Sequence, residues 1–467
     1  MTATDPTTRS LAEARPTSFW LDDPSRPEPA PVLAGTYTTD LAIVGGGFTG
    51  LWAAIEAKER DPGREVTLLE AGRVGGAATG RNGGFLAASL THGLDNGLAR
   101  FPDEIDEIEG QATENFLGIA EAIERYGIDA EYERRDEIAL ARRPHQTEWF
   151  AEAVALQERF GYRADVLDRE QAQQVVRSPV VIAGLRHRDR NALVHPAKLA
   201  WGLRAAALGL GVHLYERSPV TGIEHTAQGL RLATAGGAVH ADRAVLATNG
   251  FPPLVRTIRR AIVPVWDHVL MTEPLSPAQR EAIGWHGREG LADASHRFHY
   301  FRLSADDRIL WGGYDATYHW RGGTDERFAI DDEVHGRLAA NFFTFFPQLE
   351  GIRFSHRWGG VIDTCSRFSV MFGTAHGGRL AYAVGYTGLG VGATRFGART
   401  ALDLVDGLDT ERTALGMVRH RPVPFPPEPL RWPGIRLTIR AMDRADRTGR
   451  EGLWLRFIRR LGLGFQS

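Results

Sequence analysis

The chain has 467 residues, 43% hydrophobic and 24% charged, with a formal net charge of −3 at pH 7. That length carries about two or three structural units, and a charge near zero gives no overall electrostatic case for a nucleic-acid partner. One Cys excludes an internal disulfide and a thiolate metal cluster, which fits a reducing cytoplasm, while glycine at 53 residues exceeds the ordinary level of ~7%.

Residues 1–37 are too rich in Pro, Thr and Asp for regular structure and read as an irregular lead-in. They hold no apolar signal core, and no run of ~18 apolar residues follows, so a cytoplasmic protein without stable membrane insertion is expected. Asp40 to Val44 is a short apolar strand, Leu51 to Arg60 has helix-forming composition, and Glu65 to Glu70 is a second strand. Helical patterns follow at Asp103–Tyr126, His145–Phe160 and Pro196–Leu210. Short strands then cover 212–215, 220–223, 230–233 and 244–249, and 261–315 alternates apolar and polar in strand fashion. Glu333–Phe346 is a helix, and Leu380–Val384 is a strand leading through a glycine loop into a helix ending near Val405.

Gly45-x-Gly47-x-x-Gly50 stands directly between the first strand and its helix. Gly45 permits the tight turn, Gly47 lets backbone approach a pyrophosphate, and Gly50 lets helix and strand pack closely. Glu70 closes the next strand, where a carboxylate reaches ribose hydroxyls, and the phosphates would meet the positive end of the helix dipole. An NAD enzyme would continue with further βα units. This chain instead enters Gly75-Gly76-Ala77-Ala78-Thr79-Gly80-Arg81-Asn82-Gly83-Gly84, a loop of small residues suited to wrapping a diphosphate and reaching a flavin, so FAD is expected.

These motifs, with Glu70-Ala71-Gly72-Arg73, Trp358-Gly359-Gly360 and Gly385-Tyr386-Thr387-Gly388-Leu389-Gly390, resemble the FAD-dependent amine oxidoreductases of the D-amino-acid-oxidase superfamily. The likeness is greatest to the gamma-glutamylputrescine oxidoreductase branch and covers about residues 38–460. It implies an α/β chain (α+β overall): a Rossmann-like FAD-binding domain of the glutathione-reductase type with a discontinuous antiparallel β-sheet substrate domain. The first would comprise 38–100, 190–255 and 355–410, and the second 101–189 and 256–354. A Pro-rich turn and basic helical tail would fill 411–467.

The resemblance implies that Gly45, Gly47, Gly50 and Glu70 hold the ADP half of FAD, with Phe48, Thr49 and Ala71 among its contacts. Arg73, Thr79, Arg81, Asn82 and Gly83 would line the path to the isoalloxazine. Val220 would meet adenine, and Thr248 and Asn249 would end a strand under the cofactor. Gly385, Gly388, Leu389 and Gly390 would bring backbone N–H groups to flavin N1 and O2, where reduction leaves negative charge. Non-covalent FAD is expected, because Cys365 falls a few residues late for attachment.

Amine oxidation by hydride transfer needs an apolar pocket that lowers the amine pKa more than it needs a strong base. Trp266, Tyr300, Trp311 and Trp358 are candidate walls, and Arg302 is a candidate clamp for a substrate carboxylate, or else a salt-bridge partner of Asp306 or Asp315. His92, shortly after the flavin loop, is a further site candidate. His296 and His299 lack further ligands at suitable spacing, so no metal site is expected. Relatives of the sarcosine-oxidase type carry an oxygen-activating Lys where Trp311 falls, and no Lys follows Lys198 here. The expected reaction is oxidation of a small-molecule amine with oxygen as acceptor. A dehydrogenase using a quinone or carrier protein, and a non-catalytic FAD-binding subunit, remain alternatives. From Arg431 on, nine Arg stand against Asp443, Asp446 and Glu451, a net +6 that leaves −9 elsewhere. A basic amphipathic helix of this kind can lie on an anionic membrane, but this tail is expected to pack on its own acidic body or on a second subunit.

Overall fold

The computed structural model describes residues 6–464. Gly35–Val44 is the central strand of an eight-stranded sheet, parallel to Gly237–Leu246 on one side and Val66–Leu69 on the other. His213–Tyr215 extends the sheet in parallel beyond Val66–Leu69. On its far edge, Gly237–Leu246 pairs with two different neighbours. Its first half meets the antiparallel hairpin formed with Gly229–Thr234, and its second half meets Leu380–Val384 in parallel. Val66–Leu69 and Leu380–Val384 are buried at every position, as parallel strands covered on both faces must be. The helices Phe48–Arg60, Ile105–Arg125, Pro196–Gly209 and Gly390–Asp406 share the large core on one face.

A second eight-stranded sheet runs in the order Phe354–Cys365, Ile262–Thr272, Ile309–Gly313, His299–Leu303, Gly290–Asp293, Glu137–Ala141, Ala183–His187, Ala164–Leu167. All its pairings are antiparallel except that of Gly290–Asp293 with Glu137–Ala141. Period-two alternation divides its side chains. Phe301, Leu303, Ile309 and Trp311 pack against Leu338, Phe342 and Phe345 of the helix Asp332–Phe345. Asp267, Tyr300, Ala292 and Glu137 face the other way, towards the first sheet.

Packing redraws three of the boundaries read from sequence. Helix Ile105–Arg125 belongs to the core of the first sheet, through Ile108, Ala112, Phe116 and Ile119, rather than to the second domain. Strand Phe354–Cys365 belongs to the second sheet, because it pairs with Ile262–Thr272 along nearly its whole length. The lead-in is ordered where it is described: Trp20 is fully buried, its Nε1 donating to the Asn82 carbonyl at 2.9 Å, and Ser18 Oγ donates to the Gly80 carbonyl at 2.8 Å. It clamps the glycine loop from behind. The strand expected at 220–223 begins at Gly222, and the helix expected at 145–160 divides into a short turn, Pro144–Thr147, and the helix Phe150–Arg159. No described helix is long and apolar enough to cross a membrane.

Candidate active site

The turn after the first strand accepts only glycine at two positions. Gly45 has φ of +112°, and a Cβ there would lie 2.4 Å from the Ala247 carbonyl oxygen. A Cβ at Gly50 would lie 1.8 Å from the Gly45 carbonyl oxygen. Gly47 is less crowded: the one atom near its Cβ position is Thr79 Oγ1 at 3.0 Å, a side-chain atom that also accepts from Phe48 N at 3.1 Å. The helix therefore starts without a side-chain cap, and Gly47, Phe48 and Thr49 line a cavity of about 1750 Å³. A second uncapped helix start, Gly390 with Gly388 and Leu389 before it, lines the same cavity. Helix N-termini present N–H groups without intrahelical partners and favour anionic ligands. The two glycine motifs, far apart in sequence, are joined by the hydrogen bond of Thr49 Oγ1 to Tyr386 Oη at 2.9 Å.

The remaining expected cofactor residues divide into cavity wall and scaffold. Thr79, Arg81, Asn82, Gly83 and Asn249 line the cavity. Asn82 pins its loop, with Nδ2 donating to the Ala78 and Thr79 carbonyls at 3.0 and 2.8 Å and Oδ1 accepting from Gly84 N at 2.8 Å. Arg81 pairs with Glu326 and donates to the Gly76 and Gly359 carbonyls. Asn249 Oδ1 is buried without a hydrogen-bond partner among the described residues. Glu70 lies just behind the wall, accepting from Gly46 N at 2.6 Å and Gly72 N at 2.7 Å, and burial raises its pKa against those donors. Exposed Ala71 and half-buried Val220 flank this turn, where the Ser218 N–H bonds to the Glu70 carbonyl. Thr248 lies beside Gly45, outside the wall. Arg73 is turned away, held by Glu216 at 3.1 Å and the Pro27 carbonyl. Gly385, at φ of +84°, donates its N–H to Asp363 Oδ2 at 2.5 Å.

Two acidic residues that sequence reasoning passed over shape the site. Asp363 anchors the Gly385–Thr387 turn, and burial lifts its pKa to about 7 despite the backbone donors. Asp267 lines the cavity, accepts from Tyr300 Oη at 2.5 Å, and is pushed by burial to about 6. Tyr300 packs beside Gly83, where a Cβ would meet its ring at 2.7 Å. No motif could have flagged either acid, since each is an isolated carboxylate on a strand.

Residues 40–404 match the FAD dependent oxidoreductase (DAO) family. The chain belongs to this family. It is 31% identical over 421 residues to the gamma-glutamylputrescine oxidoreductase of Escherichia coli, covering 87% of this chain and 93% of that protein. It is also 28% identical over 409 residues to a probable oxidoreductase, OrdL, of Haemophilus influenzae, covering 85% and 90%. The glycine oxidase structure from Geobacillus kaustophilus superposes with a TM-score of 0.69 at 22% identity, covering 82% of this chain and 99% of that one.

The protein is thus an FAD-dependent oxidoreductase, and its residues fit that cofactor. The side-chain-free approach at Gly47, two uncapped helix starts on one cavity and the unpartnered Asn249 Oδ1 are features an elongated, polyanionic dinucleotide would satisfy. The cavity exceeds the ~300–1,000 Å³ of ordinary small-ligand pockets, leaving room for a substrate beside the cofactor.

The five expected catalytic residues of this DAO-family chain part company. Tyr300 and His92 line the cavity. Burial holds His92 down to about 4, so its ring is neutral at neutral pH. Arg302 is no clamp: it is buried behind the glycine loop, with Nη1 donating to the Val194 and Gly84 carbonyls at 2.7 and 3.3 Å. It pairs with neither Asp306, which Arg308 holds, nor Asp315, which Arg297 and Arg337 hold. Trp311 is opposite Phe301 in register and so points to the far face, against Phe345 and His299. Trp358 supports the glycine loop from below, Nε1 donating to the Arg81 carbonyl at 2.9 Å. Trp266 donates to the Gly323 carbonyl in a small separate core. Neither Lys reaches the cavity: Lys58 donates to the Pro62 and Arg64 carbonyls, and Lys198 pairs with Glu131. Cys365 is buried outside the cavity wall. Among the described residues no group of three or more His, Cys, Asp or Glu could hold a metal ion.

Proposed function

We propose that the protein oxidises a primary or secondary amine to an imine, which water then hydrolyses, using non-covalent FAD and oxygen as acceptor. The observation that carries this reading is Asp267: a carboxylate lining a largely apolar cavity beside the glycine loop, hydrogen-bonded to Tyr300 and with no cationic side chain paired to it among the described residues. Such a group attracts an ammonium, and its raised pKa suits it to take the ammonium proton as the amine becomes neutral. The retreat of Arg302 behind the loop removes the expected site for a substrate carboxylate, which favours amines over amino acids. Bound FAD supplies the two-electron acceptor. The protein's part is to hold the amine by Asp267 and Tyr300, to exclude water with the apolar wall, and to present the Gly388–Gly390 backbone to the cofactor's electron-rich end.

The names of the E. coli relative and the glycine oxidase neighbour support an amine as substrate. The test is anaerobic bleaching of the bound flavin by a panel of polyamines, N-alkyl amines, amino acids and hydroxy acids. Bleaching by amines lacking a carboxylate, with recovery in air and peroxide release, is expected. Bleaching by hydroxy acids alone would refute the proposal.

A further inference from the structure

The C-terminal tail docks in the opposite sense to the one its charge suggests. Helix Arg431–Thr448 and helix Leu453–Arg460 each bury a single residue, Ala445 and Leu455. The tail's side-chain contacts to the body include those of its acids, and its end is held through the backbone, with Arg100 donating to the Gly462 and Gly464 carbonyls at 2.7 Å. Asp446 accepts from the His296 N–H at 2.8 Å, from His296 Nδ1 at 2.7 Å and from the Arg297 N–H at 3.0 Å, and Asp443 lies 3.5 Å from Arg297. The first helix turns Ile435, Ile439 and Met442 inward, spaced i, i+4 and i+7, to form part of the cavity wall.

Its arginines point out. Arg440, Arg444, Arg450, Arg456 and Arg460 are exposed and have no ion pair among the described residues. Large apolar side chains stand among them: Leu453 is 78% exposed and lies off the cavity wall, while Leu437, Phe457 and Leu461, about half exposed, form the cavity's outer rim. On the second helix Leu453, Arg456, Phe457 and Arg460 share one face at i, i+3, i+4 and i+7.

We propose that this outward face docks reversibly on an anionic lipid bilayer. Apolar side chains interleaved with unpaired Arg match an interface in which Leu and Phe enter the acyl boundary while guanidinium groups rise to phosphate. Each Arg near an anionic surface adds to the attraction. A second copy of the same face fits less well, because it would set arginine against arginine. Exposed aliphatic side chains have no role against a nucleic-acid backbone, and the rest of the chain carries −9. Because the same helices wall the cavity, docking brings that wall to the lipid surface.

The test is co-sedimentation of the flavin-loaded protein with vesicles of phosphatidylcholine alone or mixed with phosphatidylglycerol. The protein should pellet with the mixed vesicles, lose binding as salt rises, and stay in solution with phosphatidylcholine alone. Replacing three exposed arginines together, Arg440→Gln, Arg444→Gln and Arg456→Gln, should weaken binding about 100-fold. Leu453→Asn should also weaken it, with flavin absorbance and melting unchanged because this side chain is exposed and lies off the cavity wall. The proposal is overturned by failure to pellet, by equal binding to both vesicles, or by full binding in the arginine variant. A concentration-dependent dimer abolished by Leu453→Asn, without lipid binding, would assign the face to a second copy instead.

Discussion

Replacing Asp267 by Asn tests the site most sharply, because the structure predicts opposite effects on activity and stability. The folded carboxyl titrates near 6 instead of the ordinary 3.8, because burial disfavours its charge. The folded state thus binds that proton more tightly than the unfolded chain does. Its contribution is fully present below about pH 4 and is lost as pH rises through about 6. A displacement of about two units corresponds to about 3 kcal/mol. Asn does not titrate, so any offset from exchanging an oxygen for an amide is independent of pH. The variant's stability relative to wild type should therefore improve by about 3 kcal/mol between about pH 4 and pH 8. Activity should move the other way. Losing a charge-assisted contact worth about 1.5–3 kcal/mol lowers kcat/KM for cationic amines roughly 10- to 100-fold. Urea melts across pH, paired with anaerobic flavin-reduction kinetics, measure both. A stability difference flat in pH would show that Asp267 is not desolvated. An unchanged kcat/KM would remove it from substrate recognition.

The glycine cradle and the misassigned arginine give two further tests. Gly50→Ala puts a Cβ 1.8 Å from a backbone oxygen that cannot yield cheaply, so the variant should lose at least about 1–3 kcal/mol and purify with little flavin; a normal flavin-to-protein absorbance ratio would contradict the packing. Arg302→Met orphans the Val194 carbonyl, while the Gly84 carbonyl keeps the Val194 N–H, and should lower stability by about 1–3 kcal/mol. Its ratio of kcat/KM for carboxylate-bearing against carboxylate-free amines should not change, whereas a selective KM rise for the former would restore the clamp.

Much of the site was legible because its constraints are local. Strand, turn and helix at Gly45–Gly50 lie within a few residues, and the demand for glycine there comes from backbone atoms of adjacent elements. The substrate side was not legible, for a matter of register. Tyr300 and Trp311 both looked like pocket walls on strand-forming sequence. Pairing Phe301 with Trp311 sends Trp311 to the far core and leaves Tyr300 on the cavity side. Arg302 shares the face of Tyr300, yet two residues further along it falls under the Gly84 carbonyl rather than in the cavity. Helix Ile105–Arg125 shows the same limit: the core it joins is one that its own periodicity cannot name.

The sequence by itself determined the glycine turn between strand and helix, the FAD dependence and the amphipathic, arginine-rich nature of the tail. Each depends on residue types at short spacing, where chain connectivity supplies the geometry. Only the tertiary structure decided which carboxylates matter and which way the tail turns. Asp267 and Asp363 owe their raised pKa values to burial by strands and loops distant in sequence. The tail's orientation follows from His296 and Arg297, which engage its acids and leave its arginines facing outward.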